Sequence, residues 1–157
     1  MVTAKNPRLL LIEDNRADAV LFERALERAA PDIAVTTAAT GVGALATLKG
    51  NLELPELLPQ LIVADLGLTD VAGFDIIMRC KADERLRFIP IFILSASNIP
   101  EEIRYAYDHF AAGYIVKPTT SQGYSQLAES LNAWLQWMQL PDGRVPARRT
   151  DRLIANP

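Results

Sequence analysis

A chain of 157 residues in which half are apolar has the size and composition of one globular domain with a full core. Its formal net charge of −3 and sequence pI of about 5.2 give no reason to expect nucleic acid or an anionic membrane as its main partner. The single cysteine, Cys80, excludes an internal disulfide, and the chain has neither a signal-peptide pattern nor a long apolar run, so we expect a cytoplasmic protein.

Short runs of branched apolar residues alternate along the chain with segments of helical character. The runs at 9–12, 61–64 and 114–116 predict buried strands, and further strands are predicted at 33–37 and 89–94. Helices are predicted near 16–30, 44–49, 74–82, from 100 onward and over 121–139, with Asn15 as the cap of the first. Five such units predict an α/β fold with a doubly wound, five-stranded parallel sheet and helices on both faces. The pattern does not show the strand order, and we take the flavodoxin-like order 2-1-3-4-5 as the natural choice among the few topologies that right-handed crossovers allow.

Two parts of unequal size are expected in the chain. Residues 1–140 carry the alternating strands and helices and are predicted to form one domain. The remaining segment, 141–157, has prolines, a glycine, four arginines and few large apolar residues. This composition favours a flexible tail or a short arm that contributes to a dimer.

Charged side chains follow three of the predicted strands at the point where each strand ends. Glu13 and Asp14 follow the first strand, Asp65 the third and Lys117 the fifth. Each acid alone could simply cap a helix or belong to a turn. Because the carboxyl ends of parallel strands meet at one edge of a sheet, we expect these side chains to converge. Three carboxylates at one place are suited to Mg²⁺, which prefers oxygen ligands.

A carboxylate beside such a metal ion can attack a phosphoryl group and form an acyl phosphate. This transfer depends on positioning and on neutralisation of the phosphoryl charge. Mg²⁺ would neutralise some phosphoryl oxygens, Lys117 another, and a hydroxyl at the end of the fourth strand a third. Ser95 lies at that position.

The chain resembles the receiver domains of bacterial two-component response regulators over roughly residues 8–140. The resemblance rests on the acidic pair after Leu-Leu-Ile, on Asp65, on Ser95 within Ile-Leu-Ser-Ala, and on Tyr114-Ile-Val-Lys117-Pro, in the order and spacing of that family. It implies that Asp65 accepts a phosphoryl group and that Ser95 and Lys117 bind it. It also implies that Tyr114 is an aromatic switch, which turns inward when the hydroxyl of Ser95 moves toward the phosphate.

The resemblance further implies a metal-binding set at the same edge. Asp65 and Asp14 would bind Mg²⁺ directly, Glu13 mainly through water, and the carbonyl of Gly67 would complete the protein's share of the ligands. Two positions depart from the common pattern: Thr69 replaces a frequent proline, and Gly67 replaces a larger side chain. We expect the bare glycine to alter the lifetime of the acyl phosphate without abolishing phosphorylation.

A narrower resemblance concerns the small regulators that pair with phytochrome histidine kinases. Its basis is the long segment between Asp14 and Asp65, the Glu-Asp-Asn opening with Asp18 nearby, and the aromatic last helix that ends in 137–141. The implied partner is a sensor histidine kinase of the phytochrome type.

The last predicted helix carries more apolar surface than one core contact needs. Trp134 and Trp137 lie three residues apart and share a face, while other residues already form an apolar stripe at core spacing. We therefore expect at least one tryptophan to be exposed, and we predict a homodimer through this helix and the fifth strand.

Other functions remain open at this point. A flavin-binding module needs a phosphate loop after the first strand, where this chain has acidic residues. A phosphatase of the haloacid dehalogenase type needs a second aspartate at the position of Gly67. We favour a phosphoacceptor signalling protein, which catalyses only its own phosphorylation and dephosphorylation. The segment after Leu140 is too short for a DNA-binding domain, so the expected output is an altered protein surface, a phosphoryl relay, a phosphate sink or scaffolding without phosphorylation.

Overall fold

A computed structural model describes residues 6–141 of the chain. The strands are β1 (Arg8–Ile12), β2 (Ala34–Ala38), β3 (Leu61–Asp65), β4 (Ile91–Ser95) and β5 (Gly113–Val116). The helices are α1 (Arg16–Ala29), α2 (Gly41–Gly50), α3 (Gly73–Ala82), α4 (Pro100–Asp108) and α5 (Ser121–Trp137), with a 3₁₀ turn at Pro55–Leu57. All strand pairs are parallel and the sheet order is β2-β1-β3-β4-β5, which confirms the predicted fold.

Helices cover both faces of the sheet, and each face has its own core. Alternation along β1 divides its side chains between the two: Leu10 and Ile12 pack with α2, α3 and α4, whereas Leu9 and Leu11 pack with α1 and α5. Cys80 is fully buried in the first of these cores, and burial raises the pKa of its thiol to about 11. A thiol in this state is a packing residue rather than a reactive group.

Strand β4 begins later than the sequence pattern predicts. The prediction placed its start at residue 89, but the amide of Ile89 donates to the carbonyl of Leu86 at 3.0 Å and belongs to the preceding turn. Pro90 has no amide hydrogen and contributes only its carbonyl, which accepts from the amide of Ile62 at 3.0 Å. The regular strand therefore starts at Ile91.

Helix α5 ends at Trp137, two residues before the predicted end. Trp134 packs edge-on against Phe92 of β4, with ring centroids 5.1 Å apart and an interplanar angle of 87°. Trp137 is 83% exposed. The prediction that at least one tryptophan is exposed is confirmed, and the exposed one is Trp137.

The predicted tail lies almost entirely outside the described residues. Of the segment 141–157, only Pro141 is described, so the predictions about the arginine-containing tail stay predictions. Over residues 6–141, none of the helices has the length and apolar character required to cross a membrane.

Candidate functional site

The predicted acids and the predicted lysine lie together at the carboxyl edge of the sheet. Glu13 and Asp14 directly follow β1, Asp65 is the last residue of β3, and Lys117 directly follows β5. One carboxylate oxygen from each of the three acids lies within 4.8 Å of the others. The chain thus brings together four charged groups that are up to about a hundred residues apart in sequence.

Lys117 connects these carboxylates through its ammonium group. Its Nζ lies 2.8 Å from Oε2 of Glu13, 3.0 Å from Oδ2 of Asp65 and 3.1 Å from Oδ2 of Asp18. The lysine side chain is 12% exposed, and those of Glu13 and Asp65 are still more deeply buried. An ammonium group has three hydrogens to donate, and here three carboxylates surround it.

The electrostatics of this cluster follow from burial and from the uneven numbers of charges. Burial by itself would lower the pKa of Lys117, but the contacts of its ammonium group with the carboxylates of Glu13, Asp65 and Asp18 outweigh burial and raise that pKa above its usual value. For Glu13, burial is the largest influence and raises its pKa, against the opposing effects of Lys117 and the Asn15 amide. Because three carboxylates surround one ammonium group, negative charge is in excess at the site.

Two backbone amides of the loop between β3 and α3 hold the carboxylates in place. The amide of Gly67 donates to Oδ1 of Asp65 at 2.9 Å, and the amide of Thr69 donates to Oδ2 of Asp14 at 3.1 Å. The second bond depends on residue 69 not being proline, because proline has no amide hydrogen. The departure at this position thus adds a contact between the loop and Asp14.

Gly67 leaves the carboxylate of Asp65 open on one side. A Cβ atom at residue 67 would lie 3.5 Å and 3.7 Å from the two carboxylate oxygens of Asp65, which is ordinary van der Waals contact. A larger side chain here would therefore cover part of the carboxylate. In this chain, that approach is free of any side chain of residue 67.

The same loop is anchored to α2 by Asp70, a residue that the sequence analysis missed. Its two carboxylate oxygens accept from the amides of Gly41 and Val42, each at 2.9 Å, at the amino end of that helix. These bonds lower the pKa of Asp70. Asp70 therefore ties the loop that carries Gly67 and Thr69 to a neighbouring helix.

Ser95 and Tyr114 are linked through Ser97. The amide of Ser97 donates to Oγ of Ser95 at 3.2 Å, and the hydroxyl of Tyr114 donates to the carbonyl of Ser97 at 3.0 Å. The amide of Lys117 donates to the carbonyl of Ser95 at 2.8 Å, which fixes the ends of β4 and β5 beside each other. The predicted hydroxyl, switch and lysine residues thus belong to one connected set.

The donor set fits Mg²⁺. Oε2 of Glu13 is buried and forms an ion pair with Lys117, but among the described residues it accepts no hydrogen bond of good geometry. Carboxylate oxygens of Glu13, Asp14 and Asp65 lie close together, and they are the hard oxygen ligands that this cation prefers, either directly or through water. Asp14 is only partly buried, which leaves room for the water molecules that Mg²⁺ usually retains.

Two further residues beside the site were not recognised as parts of it. Asp18 lies in the first turn of α1, where the helix dipole favours an acidic residue. Nothing in the sequence indicates its contact with Lys117. Tyr124 of α5 is 1% exposed, and its hydroxyl has no hydrogen-bond partner among the described residues. Burial, and next the charge of Asp18, raise the pKa of Tyr124 to about 12.

Solved structures share this architecture. The phosphorylated cyanobacterial phytochrome response regulator RcpA superposes with a TM-score of 0.78 and 30% sequence identity, over 87% of this chain and 99% of that one. The Mn²⁺-bound form of the response regulator Rcp1 gives a TM-score of 0.76 and 25% identity, over 86% of this chain and 99% of that one. The predicted resemblance to regulators associated with phytochromes is thus confirmed at the level of structure.

Sequence comparison leads to the same family. The profile described as response regulator receiver domain matches residues 9–129. The probable methanogenesis regulatory protein FilR2 of Methanothrix harundinacea is 32% identical over 134 residues, which are 85% of this chain and 86% of that protein. Proteins of this family interact with sensor histidine kinases and bind Mg²⁺ at an acidic pocket. The chain belongs to the receiver domain family of two-component response regulators.

Proposed function

We propose that the chain is a response regulator that accepts a phosphoryl group from a histidine kinase on Asp65, with Mg²⁺ bound by Asp14, Asp65, the Gly67 carbonyl and, through water, Glu13. The observation that carries this proposal is the convergence of Glu13, Asp14 and Asp65, whose carboxylate oxygens lie within 4.8 Å of one another at one sheet edge, with Lys117 close to two of them. When bound, Mg²⁺ supplies positive charge to the phosphoryl oxygens.

The transfer requires little covalent chemistry from the protein. One carboxylate oxygen of Asp65 attacks the phosphorus, the bond from phosphorus to the donor breaks, and the donor leaves with that electron pair. Lys117, now 3.0 Å from Asp65, exchanges this carboxylate for a phosphoryl oxygen. Ser95 donates its hydroxyl hydrogen to another. In hydrolysis, water attacks the same phosphorus, the bond from phosphorus to the Asp65 oxygen breaks, and the carboxylate is regenerated as inorganic phosphate leaves.

The proposed output runs through Ser95 and Tyr114. If the hydroxyl of Ser95 turns toward the phosphoryl group, it gives up its hydrogen bond with the amide of Ser97. The carbonyl of Ser97 accepts the hydrogen bond from the hydroxyl of Tyr114, so a movement of Ser97 reaches the tyrosine. The loop from β4 to α4 would then move together with the tyrosine ring. A local charge change would thereby alter the surface formed by α4 and β5.

The partner surface that we propose is formed by α5 and β5, and the proposed assembly is a homodimer. Val116 of β5 is 48% exposed, Trp137 at the end of α5 is 83% exposed and the following Met138 is 43% exposed. Trp137 and Met138 are adjacent exposed apolar residues at the end of α5, and exposed apolar residues that lie together favour an interface. The kinase partner that we propose is of the phytochrome type, because the neighbour RcpA, which is matched over 99% of its length, is a phytochrome response regulator.

Sedimentation of the full chain tests the dimer. The expected result is a dimer for the wild type and a shift toward monomer for Trp137→Ala. This variant is preferable to Trp134→Ala, because Trp134 packs on Phe92 and its removal would disturb the core. Equal monomers for the wild type and the variant, with and without phosphorylation, would contradict the dimer.

Phosphorylation is tested with acetyl phosphate and Mg²⁺, followed by intact mass measurement. The expected result is the addition of one phosphoryl group to the wild type, none in the presence of excess chelator and none in Asp65→Asn. Absence of an adduct on the wild type with any phosphodonor would leave the scaffold interpretation. Steady turnover of p-nitrophenyl phosphate would instead indicate a phosphatase.

A further inference from the structure

Asp18 reaches the site from a different direction than the other acids. It lies in the first turn of α1, and its own amide is held by the side chain of the cap residue Asn15 at 3.2 Å. Its Oδ2 accepts a hydrogen bond from Nζ of Lys117 at 3.1 Å. The Asp18 side chain is 29% exposed, so it is more accessible than the carboxylates of Glu13 and Asp65.

The three carboxylates around Lys117 are not equivalent. Glu13 and Asp65 belong to the set whose oxygens lie close enough to share a metal ion, whereas Asp18 is not in that set. A cation that binds between the first two competes with the ammonium group for their oxygens. Asp18 is the one carboxylate among the three contacts that stays available to the lysine.

We propose that Asp18 is a positioning residue for Lys117, which holds the ammonium group when Mg²⁺ takes over the oxygens of Glu13 and Asp65. The inference rests on the proposed magnesium-dependent function. Held from the side of α1, the ammonium group remains beside Asp65 and can bind an arriving phosphoryl oxygen. Without Asp18 it would stay on the metal-binding carboxylates of Glu13 and Asp65.

Two physical effects of Asp18 on Mg²⁺ binding have the same sign. Its negative charge attracts the cation directly, because the electrostatic energy falls only gradually over a few ångströms. It also draws the ammonium group of Lys117 away from Glu13 and Asp65, which lowers the competition for their oxygens. Removal of the charge should therefore weaken Mg²⁺ binding although Asp18 is not a ligand.

The test is the dissociation constant of Mg²⁺, measured by calorimetry on the full chain at physiological ionic strength. Asp18→Asn keeps the size and an acceptor oxygen and removes the charge. We expect its dissociation constant to rise by roughly 3- to 10-fold. Glu27→Gln is the matched control, because it removes one charge from the same helix about 14 Å further along, beyond the Debye length of about 8 Å.

The outcomes separate this proposal from the proposed function. The role of Asp18 is supported if the dissociation constant of Mg²⁺ rises more than twofold further in Asp18→Asn than in Glu27→Gln. A smaller difference, or tighter binding, overturns it while the function stands, provided that the wild type binds Mg²⁺ and is phosphorylated on Asp65. A wild type that does not bind Mg²⁺ would remove both.

A crystal structure of the wild-type chain with Mg²⁺ gives a second test that needs no variant. We expect Nζ of Lys117 to remain within hydrogen-bonding distance of Asp18 and to have left Glu13. An ammonium group that stays on Glu13, or that no longer contacts Asp18, would contradict the proposal.

Discussion

Two largely buried lysines show how the charge of the partners decides what a lysine does. Lys81 of α3 donates to the carbonyls of Arg87 and Ile89 at 2.9 Å and 2.7 Å, and burial lowers its pKa. Lys117 is also removed from water, yet its carboxylate partners raise its pKa. Burial disfavours an ammonium charge in both places, and only anionic partners reverse that effect.

The two lysines also differ in the balance of charge between the ammonium group and its partners. The partners of Lys81 are neutral carbonyls in the connection from α3 to β4. Its hydrogen bonds hold this turn in place, and these partners do not neutralise the positive charge of the lysine. Lys117 meets more negative charge than it can neutralise. Lys81 therefore has a structural role. Lys117 belongs to a site in which a cation and a phosphoryl group can replace the present contacts between the lysine and the carboxylates.

The largest expected effect is that of Lys117→Met on phosphorylation. Loss of the ammonium group removes one of the positive charges that face the phosphoryl oxygens. The rate of phosphorylation by acetyl phosphate should fall on the order of 100-fold, the usual cost of one such donor. Lys81→Met, the matched change at the other lysine, should keep the wild-type rate. Equal losses in both variants would show that the two sites do not differ as described.

The second expected effect is the loss of stability in Lys81→Met. Methionine fills similar space but leaves the carbonyls of Arg87 and Ile89 without their donor. The free energy of unfolding, measured with urea, should fall by about 1–3 kcal/mol. Lys49→Met, at an exposed lysine of α2, should change it by less than about 0.5 kcal/mol. An unchanged free energy of unfolding in Lys81→Met would contradict the structural role of Lys81.

The smallest expected effect is a pH dependence that belongs to Lys81. Because its pKa is lower in the folded chain than the ordinary 10.5, the unfolded chain binds more protons between these two values. The wild type should therefore gain stability over Lys81→Met as the pH rises toward 10.5. The measurement is the difference between their free energies of unfolding from pH 8 upward. A difference that is constant or shrinks with rising pH would contradict a lowered pKa.

The sequence was sufficient for the parallel sheet and for most of the site, whereas the order of the strands came from the flavodoxin-like class and is not written in the residues. Branched apolar runs predicted the central strands β1, β3 and β4, because a central parallel strand must be apolar on both faces. The edge strands β2 and β5 were predicted from their β-branched residues. The charged residues at the strand ends were found because parallel strands bring their carboxyl ends together. Asp65 and Lys117 are therefore where the pattern placed them, at the ends of β3 and β5.

The contacts that escaped prediction depend on the packing of helices and loops. The bond between Asp18 and Lys117 requires the rotation of α1 about its axis, which sequence periodicity determines only coarsely. Lys81 looks like a surface residue near the end of a helix, and its partners depend on the path of the following turn. Asp70 likewise finds its partners in α2, which no local signal indicates.

The most direct test of the central claim is a crystal structure of the chain with Mg²⁺ and beryllofluoride, which mimics a bound phosphoryl group. We predict an adduct on a carboxylate oxygen of Asp65, contacted by Ser95 and Lys117. The metal ion should lie about 2.1 Å from oxygens of Asp14 and Asp65. An adduct on another residue, or a metal ion bound away from these two carboxylates, would contradict the account.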